Sequence, residues 1–427
     1  MSAELSQSPR MSAPLHAADI DEAARRISAV VLRSPLQISE RLSEATGATV
    51  YLKREDLQAV RSYKLRGAHN LLMQLSADEL EAGVVCSSAG NHAQGFAMAC
   101  RSMGVRGRVY VPAKTPKQKR DRIRYHGREH IELIVGGKTY DEAAAAALQD
   151  VARTGATLVP PYDDLRTIAG QGTIAAEILD QLDDEPDMVI VPVGGGGCIA
   201  GITTYLAERT AGTSVLGVEP AGAAAMMAAL AAGEPVTLDH VDQFVDGAAV
   251  SRAGTLTYAA LAAAGDMVSI TTVDEGAVCT AMLDLYQNEG IIAEPAGALS
   301  VAALLEAGVE PGSTVVCVIS GGNNDVSRYG EVLERSLVHL GLKHYFLVDF
   351  PQEPGALRRF LDQVLGPNDD ITLFEYVKRN NRDTGEALVG IELGSAADFE
   401  GLTERMKTSE IHVEKLEPGS PAYRYLL

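Results

Sequence analysis

The chain has 427 residues, 46% of them hydrophobic and 22% charged, and a formal net charge of -20 at pH 7. That length suffices for about three folding units with separate cores. The lack of any apolar stretch near 18 residues excludes a membrane-spanning helix. The excess of 57 acidic over 37 basic side chains argues against nucleic acid as the main partner, because binding it requires clustered Lys and Arg to displace counterions.

The first twenty residues are polar and rich in Ser and Ala, with neither an apolar signal core nor an Arg-rich amphipathic pattern. They read as a loose tail, and the expected location is the cytoplasm. Residues 50–54 form a strand-like run. The segment Ser62-Tyr63-Lys64-Leu65-Arg66-Gly67-Ala68 then opens a helical pattern that continues to Leu75, with Ser62 as the expected N-cap. A lysine in the first turn of a helix suits nucleophilic chemistry, since the helix dipole and burial both disfavour the ammonium form.

Short apolar runs at 84–86, 108–111, 131–134, 188–191, 214–218 and 314–319 alternate with helical patterns. This alternation indicates an α/β fold with a mainly parallel sheet. The locally basic stretch between Arg101 and Arg128 reads as a capped helix with a charged outer face, starting after Thr115-Pro116. The five cysteines, Cys86, Cys100, Cys198, Cys279 and Cys317, show no metal-ligand spacing, so neither a disulfide framework nor zinc is expected. Near residue 340 the rhythm changes. Strands at 344–350, 371–379, 387–393 and 411–415 with helices at 355–365 and 397–407 give βαββαβ, a ferredoxin-like α+β unit. The expected domains are therefore 1–340 and 341–427.

Three glycine-bearing loops follow strands, where open α/β sheets collect ligands. Ser87-Ser88-Ala89-Gly90-Asn91-His92-Ala93-Gln94-Gly95 offers backbone amides to a carboxylate or phosphate. Gly194-Gly195-Gly196-Gly197 lets an anion approach the main chain without any Cβ in the way. The third loop is Ser320-Gly321-Gly322-Asn323-Asn324. The second also satisfies a dinucleotide fingerprint through Gly195-Gly196-Gly197-Cys198-Ile199-Ala200, with Glu219 placed as a ribose-binding acid. An NAD-dependent oxidoreductase is thus an alternative, although it leaves Lys64 and the Asn91 loop without work.

Together with Glu294-Pro295-Ala296-Gly297-Ala298, these motifs resemble the fold type II pyridoxal-phosphate (PLP) enzymes, and within them the serine/threonine dehydratase family, over about residues 20–330. The resemblance implies a tryptophan synthase β-like catalytic part of two α/β subdomains. It implies that Lys64 binds pyridoxal 5'-phosphate covalently and later acts as base. Asn91 would then bond the cofactor 3'-oxygen, Gly194, Gly195, Gly196 and Gly197 would hold its phosphate, and Ser320 would face its ring nitrogen. The amides of Ser88, Ala89, Gly90, Asn91 and His92 would receive the substrate carboxylate.

Phe350-Pro351-Gln352-Glu353-Pro354-Gly355-Ala356-Leu357 is similar to the ACT-like regulatory unit of biosynthetic threonine dehydratases, here in a short form with one such unit. The implied reaction is β-elimination from L-threonine to 2-oxobutanoate and ammonia in isoleucine biosynthesis, with isoleucine as allosteric effector and a homo-oligomer, tetramer or dimer, as the assembly. An L-serine dehydratase is the alternative within the family. Two departures from relatives matter. Ala89 replaces the serine that racemases of this fold use as second acid/base. Ala225 stands where cation-binding relatives pair an aspartate with a glutamate like Glu219, so no metal is expected there.

Overall fold

Residues such as Thr314–Ile319, six in a row without a charge, form strands buried on both faces because helices cover a parallel sheet on each side. The computed structural model describes residues 14–376, 383–409, 411–417, 420 and 422–423. The chain divides into two compact units, Met1–Asn324 and Asp325–Leu427.

The first unit contains β1 (Leu36–Ile38), β2 (Thr49–Arg54), β3 (Val84–Ser87), β4 (Gly107–Val111), β5 (Ile131–Val135), β6 (Thr157–Leu158), β7 (Met188–Pro192), β8 (Ser214–Pro220), β9 (Val268–Val273) and β10 (Thr314–Ile319). They form two sheets, one ordered β1-β2-β10-β7-β8-β9 and one ordered β5-β4-β3-β6. Every pairing is parallel except that of β1 with β2. The chain begins in the large sheet, leaves it to build the small one, and returns. Each sheet has its own apolar core, one around Ile174, Val191 and Ile199 and the other around Leu71, Phe96 and Val109. The short strands β1 and β6 and the half-buried β9 escaped the sequence reading, which detects continuous apolar runs.

Two further differences have simple causes. The polar start of the chain becomes helical from Ala17, since Ala17, Ile20, Ala23 and Ile27 make a buried stripe in the helix Ala17–Ile27. The helix that starts at Lys64 ends at Leu72, three residues short of the expected Leu75.

That helix is wedged between two others. An added Cβ on Gly67 would stand 2.7 Å from Thr167 O, and one on Gly170 would stand 2.6 Å from Arg66 O, so the helices Lys64–Leu72 and Leu165–Gln181 cross at two glycines. On another side, a Cβ on Gly95 would lie 2.9 Å from Leu65 N, which brings the helix Asn91–Met103 against the first turn of the lysine helix. Buried charge fixes the arrangement. Arg66 donates to Glu55 Oε1 and Oε2 at 2.7 and 2.8 Å and to Glu177 Oε1 and Oε2 at 2.7 and 2.9 Å. Lys53 Nζ donates to Glu177 Oε2 at 2.7 Å and to Ser34 O at 2.8 Å. Burial alone would raise the Glu55 carboxyl, but Arg66 overrides it and holds the group below the usual carboxylate range.

The second unit contains β11 (Lys343–Pro351), β12 (Asp370–Tyr376), β13 (Thr384–Glu392) and β14 (His412–Lys415), ordered β12-β13-β11-β14 and antiparallel throughout. With the helices Ala356–Val364 and Asp398–Thr408, the chain order is βαββαβ. Phe346, Val348, Phe360, Val389 and Leu402 form its core. The helix Tyr329–His339 belongs to this unit, where Glu334 accepts hydrogen bonds from Lys343 Nζ, at 2.5 Å, and from the Tyr345 hydroxyl. Residues 1–13 of the expected tail and 377–379 of the expected strand lie outside the described residues.

Arg66→Met leaves the Glu55 and Glu177 carboxylates without their guanidinium and should destabilise the first unit by about 3–5 kcal/mol. Urea unfolding followed by circular dichroism measures this loss; a midpoint within error of the wild type would show that the network carries no such weight.

Candidate active site

Lys64 opens its helix, but Ser62 is not the N-cap. That position belongs to Tyr63, which makes no side-chain capping bond. Residues 61–63 instead pair with the segment after β10: Ser62 bridges Gly321, Tyr63 N donates to Ser320 O at 3.1 Å, and Gly322 N donates to Arg61 O at 2.9 Å. The loop after β10 is thereby tied to the lysine helix. Lys64 Nζ donates to Pro161 O at 3.2 Å and stands 5.0 Å from the Tyr63 ring centroid. Burial lowers the amine to about 8, against smaller opposing effects of Cys198 and Glu294. Roughly one Lys64 in ten is then unprotonated at pH 7, against about one in a few thousand for a solvated lysine.

The Ser88–His92 loop faces this region from the small-sheet lobe. Gly90 N donates to Ser88 Oγ at 3.3 Å, and an added Cβ on Gly90 would meet open space. Asn91 Nδ2 donates to Glu294 Oε1 at 2.5 Å, while Asn91 Oδ1 accepts from Asn323 Nδ2 at 2.7 Å. The Glu294 carboxyl is raised to about 7, first by burial and then by Asp246. His92 is buried and pulled down to about 4 by burial and by Lys64. Its neutral ring donates from Nε2 to Val159 O at 2.8 Å, so this side chain anchors the loop.

The tetraglycine run joins β7 to the helix Gly197–Arg209, with Gly196 at φ +91 as N-cap. An added Cβ on Gly195 would lie 2.3 Å from the Tyr162 ring, one on Gly196 2.5 Å from Met226 Cε, and one on Gly194 3.0 Å from Ala248 Cα. Side chains are excluded by packing. What remains is main chain ahead of a 13-residue helix whose first turn has no intrahelical partners for its N–H groups, a natural anion cradle. Glu219 does not serve as a ribose acid. It is buried and accepts from Met226 N at 2.7 Å and Met227 N at 2.8 Å, capping the helix Ala225–Ala232. The oxidoreductase alternative loses its acidic residue by this use.

Ser320 is buried and donates to Ala296 O at 3.2 Å. A lysine amine lowered to about 8, a side-chain-free anion cradle and a buried neutral hydroxyl are a donor set that fits pyridoxal phosphate. Lys64 lies within electrostatic range of Cys198 in the first turn after the tetraglycine, of His92 and of Glu294, so the three loops and the lysine converge. Sequence reasoning quoted Glu294 and Asn323 inside motifs but gave them no role. Pro161 and Tyr162 carried no signal, because their part depends on packing alone.

The family described as pyridoxal-phosphate dependent enzyme matches residues 27–321, and the C-terminal regulatory domain of threonine dehydratase matches residues 334–426. The L-threonine dehydratase biosynthetic IlvA of Mycobacterium tuberculosis (strain ATCC 25618 / H37Rv) is 85% identical, with both chains covered completely. Among solved structures, the processed form of threonine deaminase isoform 2 from Solanum lycopersicum aligns with a TM-score of 0.69 at 37% identity, over 76% of this chain and 95% of that one. Maize serine racemase aligns with a TM-score of 0.70 at 29% identity, over 77% and 99%. Both family models and the relative at 85% identity fall in one group, and the chain belongs to the pyridoxal-phosphate dependent enzymes, in the family of the biosynthetic threonine dehydratases.

Proposed function

We propose that this protein converts L-threonine to 2-oxobutanoate and ammonia by β-elimination, as the committed step toward isoleucine. The observation that carries the reading is the placement of the partly buried Lys64 amine, bonded to Pro161 O and lowered to about 8, among the Asn91 loop, the tetraglycine cradle and Ser320. Pyridoxal phosphate, when bound, supplies an electron sink for negative charge at the substrate α-carbon.

The chain's own residues do the rest. Lys64 Nζ would hold the cofactor through its aldehyde carbon, and the same amine is the group that would accept the substrate α-proton as general base. The amides of Gly194, Gly195, Gly196 and Gly197 would hold the cofactor phosphate. Asn91, oriented by Glu294 and Asn323, addresses the 3'-oxygen. The Ser320 hydroxyl is the group that would meet the ring nitrogen and, being neutral, would stabilise positive charge there less than a carboxylate, which favours elimination. Amides of Ser88, Ala89, Gly90, Asn91 and His92 hold the substrate carboxylate. Ala89 has no proton to give or take, which disfavours racemisation.

The second unit is the regulatory part, with isoleucine as effector. Gly355, at φ +89 and N-cap of the helix Ala356–Val364, brings bare main chain to a helix start where an amino acid can approach. The assembly is a homo-oligomer, tetramer or dimer, working in the cytoplasm. Coupling of about 1–3 kcal/mol between such sites changes affinity roughly 5- to 150-fold.

Purified holoenzyme given L-threonine should release ketoacid and ammonia in equal amounts, and L-serine should react more slowly, since one methyl group is worth about 1–3 kcal/mol. Preference for L-serine would move the assignment to a serine dehydratase, and absence of ketoacid from either substrate would end it. Lys64→Ala should keep the fold but lose turnover and borohydride-stable attachment of the cofactor.

In apo protein, the free-amine fraction rises as pH climbs through the amine pKa. Covalent capture of pyridoxal phosphate should therefore accelerate with pH and level off above about 8; a rate still climbing toward about 10.4 would mark a solvated lysine. Gly355→Ala should weaken isoleucine inhibition before it harms turnover, and an unchanged inhibition curve would place the effector elsewhere.

A further inference from the structure

The two lobes of the first unit meet over the site through polar contacts at two depths. Near the lysine, Asn91 of the small-sheet lobe meets Glu294 and Asn323 at 2.5 and 2.7 Å. Farther out, Lys119 Nζ on the helix Lys117–Gly127 reaches Asp246 Oδ2 at 2.5 Å, with side chains 32% and 37% exposed. The pair stands at the rim, joining residues far apart in sequence.

Each partner is fixed to its own lobe and linked to the site. On the Lys119 side, Ile123 of the same helix is buried in the small-sheet core, and Arg122 Nε donates to Gln94 Oε1 at 3.0 Å. Gln94 lies on the helix that Asn91 begins. On the Asp246 side, Ala248 packs against Gly194 of the tetraglycine, and an added Cβ on Gly247 would stand 2.8 Å from Ala296 Cβ and 3.7 Å from Glu294 Oε1. Both members of the pair also act on the Glu294 carboxyl: behind burial as the first cause, Asp246 raises it and Lys119 lowers it.

We propose that Lys119 and Asp246 are positioning residues that latch the two lobes together across the rim, drawing the Ser88–His92 loop onto the carboxylate of an amino-acid substrate. This rests on the reading of the site given above. The pair has no contact with reacting atoms, so its contribution is to the closed arrangement in which substrate is held. A half-exposed ion pair of this kind predicts a modest effect on binding, and the salt dependence that goes with it.

The test compares wild-type holoenzyme with Lys119→Gln, Asp246→Asn, the double variant and the swapped pair Lys119→Asp with Asp246→Lys. The latch requires KM for L-threonine to rise about 1.5- to 5-fold in each single variant with kcat unchanged. The double variant should be no worse than either single one, and the swapped pair should recover toward wild type. Added salt should raise KM in the wild type and leave the neutralised variants flat. Independently of turnover, the slowing of amide exchange that substrate produces across residues 88–95 and 117–127 should be weakened in the single variants. Unchanged KM and salt response in the variants, beside an active wild type, would overturn the latch alone. Joint loss of kcat and of bound yellow cofactor would also overturn it, in favour of a role in folding. A wild type that does not consume L-threonine would instead overturn the functional reading and, with it, the proposed substrate of the latch.

Discussion

The buried contact between Arg66 and the carboxylates of Glu55 and Glu177 is the constraint on which the site depends. Arg66 is wholly buried, and a guanidinium in that position is tolerable only when its donors are taken up by well-aligned acceptors. Glu55 follows β2, Glu177 lies on the helix Leu165–Gln181, and Arg66 stands two residues after Lys64, so one ionic junction fixes the lysine helix, whose apolar side lies in the small-sheet core, against the large-sheet side. The glycine crossings at Gly67, Gly95 and Gly170 then set how close the surrounding helices come. A shift in any of these would move the amine away from Pro161 O and out of the surroundings that lower it.

A shared scaffold does not choose a reaction, because racemase and deaminase both align with this fold. The choice lies in particular side chains around the amine. On the proposed reading Ala89 withholds a second acid/base and Ser320 offers a neutral group. Both would limit what can happen at the α-carbon and leave elimination as the favoured outcome.

The polar contacts between the lobes form a graded series. Asn91 with Glu294 and Asn323 is partly buried and close to the chemistry, while Lys119 with Asp246 lies at the rim, where solvent weakens it. On the proposed latch, a weak outer contact would let the cleft open for substrate exchange while the inner ones hold one geometry on closing.

Much was legible in the sequence because the chemistry sits in contiguous loops. The lysine segment, the Asn91 loop, the tetraglycine and Ser320 each follow a strand that local patterning reveals, and the βαββαβ order of the second unit follows from the same alternation. Short or half-buried strands such as β1, β6 and β9 were not legible, because three residues or a mixed face leave no period to detect. The capping role expected of Ser62 failed for a tertiary reason: residues 61–63 are recruited to pair with 320–322, which no local propensity encodes. The sequence by itself determined which residues are the candidates for the chemistry, since motif residues are local and their types are chemically restrictive. Only the tertiary structure decided what holds them: the Arg66 junction, the Pro161 carbonyl under Lys64, and the Glu294 and Asn323 partners of Asn91 join residues that are distant along the chain and meet only when both lobes have packed.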